Sequence, residues 1–282
     1  MSTKLVPPHE ENDMTTVRRL RKAIGWLGIS LPFALIILSL IPVFKTEVQV
    51  SLSSYYYTHL REIFTGVLCA VGLFLIRYKG YTDKIFWKDD NRMTNLAGAM
   101  ALGVALMPTS PDACCEKAFT IIPFCDDFLG WFHYIFAALF FIILAVMSFF
   151  VFTLGQKKKQ QVTHGSFDEN TIYRICGCAI LVFSAMVPVC QFLIPFPYST
   201  LIFETLTLTT FGISWLIKGR VLSDTGRLGQ MLYRENNRRL SFRIKIKKDI
   251  FLNVPFSFLI WKVLFHQPVT IKMAEPHFCN SA

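Results

Sequence analysis

Charge is scarce in this chain, and the scarcity decides its class. Only 17% of the 282 residues are Asp, Glu, Lys or Arg, 53% are hydrophobic, and the mean hydropathy is positive at +0.43. A soluble two-domain protein of this length would carry more polar surface, so the composition points to a membrane protein with several spans. Acidic residues are the scarcer sign, 19 against 29 basic ones. A charge of +10 is compatible with nucleic-acid binding, but no basic and aromatic recognition module accompanies it, and nucleic acid is not an expected partner.

Other absences narrow the class further. The opening MSTKLVPPHEENDM is polar and acidic where a cleavable signal would turn apolar, so the first span is expected to be an uncleaved anchor. Cys-x-x-Cys spacing is missing from DACCEKAFTIIPFCDD, which argues against zinc there. On an oxidising side, Cys125 could pair with Cys114 or with Cys115, leaving one thiol over. Cys69, Cys176, Cys178 and Cys190 fall inside apolar runs and read as small apolar fillers. His59, Glu62, His133 and Glu204 lack the paired spacing of a metal centre, and the isolated His59-x-x-Glu62 does not supply it. No metal or cofactor is expected. Neither an inverted repeat nor a broken central helix pair is visible, which disfavours a transporter.

What is present is a series of apolar runs at 23–44, 60–78, 93–108, 128–154, 175–194 and 198–217. They predict an all-α, polytopic bundle of six transmembrane helices. The segments 1–22, 77–92 and 157–174 hold fourteen Lys and Arg, whereas the alternate loops hold three: Lys45, Arg61 and Lys117. The positive-inside rule then places both termini in the cytoplasm. Three parts are expected: a cytoplasmic segment 1–22, the six-helix domain 23–218, and a basic cytoplasmic tail 219–282. The tail carries an apolar stretch, IFLNVPFSFLIWKVLF, interrupted by Pro255 and Lys262, which suits an interfacial segment on anionic lipid better than a seventh span.

The organising stretch is 51–81, SLSSYYYTHLREIFTGVLCAVGLFLIRYKGY. Its uncharged run 63–76 is fourteen residues, about 21 Å as a helix, so Arg61 and Glu62 must sit at or within one membrane edge. Glu62, Thr65, Cys69, Gly72 and Ile76 recur at steps of three and four, a stripe that predicts Glu62 facing the bundle. His133 heads the fourth run and Glu204 the sixth, where Glu204, Thr207, Phe211, Ser214 and Lys218 form another stripe. In the expected orientation all three helices start on the outer side. Glu62, His133 and Glu204 are therefore candidates for general acid/base work in an outer-leaflet cavity, with Arg61, Tyr55, Tyr56 and Gln191 as candidate substrate-binding groups. The same residues suit still better a buried structural network that fixes helix packing.

The serine-containing SLSSYYY, Glu62, the exit IRYK, Asn95, His133, and Glu204 followed by Phe211-Gly212 together resemble a broad six-span group. It includes the damage-regulated autophagy modulators, the fibroblast-growth-factor-receptor-activating protein type and uncharacterised bacterial membrane proteins. The likeness covers 51–219, and REIFTGVLCAVGLFL, GVALMPTSP and FGISWLIKG place the bacterial branch nearest. The resemblance implies a six-helix architecture and, through some eukaryotic members, a connection with lipid remodelling or lipid-kinase recruitment. The expected function is binding, with modification left open, of a lipid headgroup in the outer-leaflet pocket of a multi-pass protein of the bacterial inner membrane. The alternative is a non-catalytic scaffold that recruits an unidentified partner through its basic tail. Whether the protein is an enzyme is left open.

Overall fold

The computed structural model describes residues 8–110, 127–157, 169–194, 196–223 and 232. The chain divides into two units, Met1–Arg234 and Glu235–Ala282, and the described residues all belong to the first. The expected Cys125 pairing, the loop 158–168 and most of the tail 219–282 lie outside them. Among the described residues every regular element is helical.

Seven α-helices follow in order: α1 (Pro8–Ser39), α2 (Arg61–Arg77), α3 (Asp90–Leu106), α4 (Asp127–Val146), α5 (Phe152–Lys157), α6 (Glu169–Phe192) and α7 (Ser199–Lys218). A π-helical turn, Met147–Val151, joins α4 to α5. The basic stretch 17–22 is already part of α1, which runs on through Pro32. Helix α3 starts where Asp89 caps it, accepting a hydrogen bond from the Arg92 N–H at 3.0 Å. Helix α7 follows Tyr198, which adopts φ 58, and ends at Gly219, whose N–H reaches back to the Trp215 carbonyl at 2.7 Å.

Four segments are long and apolar enough to cross a membrane: Thr15–Ser39, Gly130–Leu154, Glu169–Phe192 and Ser199–Lys218. Helices α2 and α3 have 17 residues each, about 25 Å against a hydrocarbon core of about 30 Å.

The helices close into a ring in chain order. Helix α1 packs on α2, α2 on α3, α3 on α4, α4 on α6, α6 on α7, and α7 back on α1. Glycine makes two of these seams tight. A Cβ on Gly72 would stand 2.9 Å from the Gly98 carbonyl oxygen, and one on Gly212 would stand 2.6 Å from that of Gly25. Small residues permit such approach where packing, rather than water, drives helix association. Ala97, Ala101 and Ala105, four residues apart on α3, are fully buried for the same reason. A chain of aromatic rings runs through the aliphatic interior: Phe140, Phe211, Trp215 and Phe152 follow one another edge to face, with Tyr78 against Trp215 at 5.3 Å. Midway, the buried hydroxyls of Ser148, in the π turn, and Ser214 bond at 2.8 Å.

Candidate functional site

The connection between α1 and α2 makes the site. After Ser39 the chain turns through a short 3₁₀ helix, Pro42–Phe44, and reaches a second, Ser53–Tyr57. This segment is seated in the ring end formed by the starts of α2, α4 and α7. The Leu201 N–H donates to the Val50 carbonyl at 3.0 Å, and two residues after Val50 the Leu52 N–H donates to Glu204 Oε2 at 2.6 Å. The next residue, Ser53, meets His133 Nε2 at 2.9 Å, while His133 Nδ1 lies 2.8 Å from the Met107 carbonyl. Since a carbonyl only accepts, Nδ1 carries the hydrogen, and in the neutral ring Nε2 accepts from the Ser53 hydroxyl. Helices α7 and α4 thus hold adjacent residues of one loop.

The tyrosines complete the seat. Tyr55 is fully buried and its hydroxyl lies 3.2 Å from that of Ser39. The Ser39 hydroxyl itself donates to the Ile36 carbonyl, so Tyr55 donates to Ser39, and the Gln49 N–H in turn approaches the Tyr55 oxygen at 3.4 Å. Tyr57 donates to the Thr109 carbonyl at 2.5 Å, and the Thr109 hydroxyl donates to Tyr134 at 2.9 Å. Tyr56 holds Arg61: the guanidinium lies 4.4 Å from the ring centroid and donates to the Tyr56 hydroxyl at 3.1 Å.

The sequence candidates therefore separate. His133, Glu204, Tyr55, Tyr56 and Arg61 gather around the Leu52–Tyr57 segment. Glu62 does not turn into the ring as its stripe predicts; it is exposed in the first turn of α2, where a negative charge complements the helix dipole. The stripe misleads because Thr65 satisfies its hydroxyl locally, donating to the Arg61 carbonyl at 2.9 Å, while Phe64, Leu68, Val71 and Leu75 supply the buried face beside Gly72. Gln191 is exposed near the end of α6 and takes no part in the group. Among the described residues no cluster of three or more His, Cys, Asp and Glu side chains is disposed to hold a metal ion.

Comparison with protein families, with curated proteins and with solved structures finds nothing that matches this chain. Its own geometry therefore carries the functional reading.

The opposite end of the ring holds a second polar group that sequence reasoning missed. Arg21, on α1, donates through Nη2 and Nε to the Tyr78 hydroxyl at 2.6 and 3.0 Å, and Tyr78, just past α2, donates to Asp90 Oδ2 at 3.0 Å. Lys218, at the end of α7, donates to the Phe152 carbonyl at 3.2 Å, with its ammonium over the Phe152 and Tyr173 rings. Residues from six places in the chain meet here: Arg21 on α1, Tyr78 just past α2 and Asp90 on α3, with Phe152 on α5, Tyr173 on α6 and Lys218 on α7. Gly80 permits the approach, since a Cβ there would come within 2.1 Å of Asp90 Oδ2. The Asp90 carboxyl is itself buried, at 3% exposure. Its Oδ1 is buried without a hydrogen-bond partner. In sequence Arg21, Lys79 and Lys218 look alike, as cations flanking apolar runs. The available signal was the Asp89-Asp90 pair, acids at a helix start in a loop where Lys and Arg outnumber them.

Proposed function

We propose that this chain is a six-span integral membrane protein that binds a lipid headgroup at the ring end built on Leu52–Tyr57, without transforming it. In this reading α2 and α3 also span, with Arg61 and the loop at one membrane edge, both termini cytoplasmic, and the membrane that of a bacterial cell. The six-span group suggested by SLSSYYY, His133 and Glu204 belongs to the same proposal.

The observation that carries it is the state of Arg61. The side chain is half-buried and steadied by Tyr56, yet no ion pair joins it to Glu62 or Glu204. A guanidinium has five N–H donors in a planar fork, so donors remain for a phosphate or carboxylate at this depth. Binding is favoured over turnover because His133 has both ring nitrogens committed and Glu204 Oε2 is taken by a backbone N–H. General acid or base work would require those bonds to be released.

The test is mass spectrometry of the lipids retained by the purified protein, wild type beside Arg61→Gln, the two first matched for thermal stability. A headgroup class carried by the wild type and lost from the variant is the expected result. Equal, unselective lipid in both would refute headgroup binding at Arg61.

A further inference from the structure

The geometry points to the α2–α3 connection as an anchor that seats on the anionic headgroup surface of the membrane, at the ring end opposite Arg61. The connection sorts its side chains by chemistry. Two of its three acids, Asp89 and Asp90, are buried, and the third, Asp83, is half-buried and engaged by its own loop. Asp83 Oδ1 accepts from the Ile85 N–H at 3.1 Å, Asp89 caps α3, and Asp90 accepts from Tyr78. Its outward face is basic and apolar. Arg77, Lys79 and Lys84 are exposed, and directly after Lys84 the side chains of Ile85, Phe86 and Trp87 stand 38%, 50% and 57% exposed.

This face is held in shape rather than left as a loose loop. The Asp90 N–H donates to the Tyr81 carbonyl at 2.9 Å, the Gly80 N–H to Asn91 Oδ1 at 2.6 Å, and Phe86–Lys88 forms a turn of 3₁₀ helix closed by the Asp89 N–H on the Phe86 carbonyl at 3.1 Å. A rigid turn that presents adjacent Phe and Trp to the outside keeps them from collapsing onto the ring. Trp and Phe rings are stable among headgroups, with the ring apolar and the indole N–H in water. Exposed Lys and Arg beside them suit anionic lipid, each worth about a fivefold gain in local affinity at low salt. A neutral surface would gain from the rings alone. With Asp89 and Asp90 buried and Arg77, Lys79 and Lys84 outside, the exposed face keeps an excess of positive charge, which selects an anionic bilayer surface over a zwitterionic one. This anchor depends on the membrane reading of the helices but not on Arg61 or on any headgroup site there.

The full-length protein in nanodiscs carries the test, with the fluorescence of Trp87 isolated as the difference between wild type and Trp87→Phe. At equal mole fraction, brominated anionic lipid should quench this component about twofold or more beyond brominated zwitterionic lipid. The preference should fade in high salt and vanish in the Lys79→Glu, Lys84→Glu double variant, which leaves the ring interior untouched. Quenching by iodide from water without quenching by either lipid would overturn the proposal, as would equal quenching by both lipids. Protection from lipid and water quenchers alike would also overturn it, by showing a protein contact on this face. Lipid selectivity lost on Arg61→Gln with the Trp87 signal intact would separate the two lipid surfaces.

Discussion

Truncating Glu204 to alanine should loosen the α1–α2 connection specifically, and its size can be worked from the bonds it breaks. Leu52 is 3% exposed and its N–H has the Glu204 carboxylate as acceptor at 2.6 Å. A hydrogen bond to a charged group is worth about 1.5–3 kcal/mol, and a buried donor left without an acceptor costs about 1–3 kcal/mol. Interhelical side-chain bonds in lipid average only about 0.6 kcal/mol, but here the donor is a backbone N–H that cannot rotate to another partner. We therefore expect a loss of about 1.5–3 kcal/mol for Glu204→Ala. Glu204→Gln, which keeps an acceptor oxygen, should lose less than about 1 kcal/mol. His133→Ala removes the contacts to Ser53 and Met107 and should cost about 2–4 kcal/mol. Because Leu52 and Ser53 are neighbours, releasing one frees the other, and the double variant should lose less than the sum by about 0.5–3 kcal/mol. Reversible unfolding in mixed detergent micelles gives the cycle, and hydrogen exchange across 50–57 gives the location. Additivity within about 0.5 kcal/mol, or unchanged exchange in that segment, would refute the idea that α4 and α7 act on one loop.

Three further outcomes follow from the packing and the second polar group. A Cβ on Gly98 would stand 2.5 Å from the Gly72 carbonyl oxygen, so Gly98→Ala should destabilise by about 1–3 kcal/mol. A Cβ on Gly66 would meet nothing within 4 Å, so Gly66→Ala should be neutral or stabilise by up to about 1 kcal/mol; equal losses in the two would contradict the glycine seam. Tyr78→Phe takes the acceptor from Arg21 and the donor from Asp90, and should cost about 2–4 kcal/mol in the same assay. Ser148→Ala leaves Ser214 without its partner across the ring interior and should cost about 0.6 kcal/mol, so a loss several times larger would mean that the π turn itself depends on that bond.

How much of this was legible in the sequence depends on whether a residue's neighbours lie on its own helix. The long apolar runs of α4, α6 and α7 announce themselves by length. The Glu204 stripe on α7 predicts an inward face because Thr207, Phe211 and Ser214 share it, and all three are fully buried. The Ala97, Ala101 and Ala105 repeat likewise gives the packed face of α3. The Glu62 stripe fails on the same rule, since a Thr that bonds its own helix needs no interior and Glu62 gains from the helix end. Pairing of Leu52 with Glu204 crosses 152 positions, and that of Arg21 with Lys218 crosses 197. No local period encodes such contacts, so the stripe that puts Lys218 on the inward face of α7 names no partner for it at that end of the ring. Its tyrosine and aspartate became meaningful only once the ring closed.

The central claim is that the Arg61 end and the Trp87 end face opposite sides of one bilayer. Single cysteines in place of His59 and Thr82, both exposed, flank α2 and can be labelled in intact cells with a membrane-impermeant maleimide, against the background of the native thiols. The account predicts that His59→Cys reacts from outside and Thr82→Cys only after the membrane is opened. Labelling of both from the same side would contradict it, because α2 would then not cross the membrane.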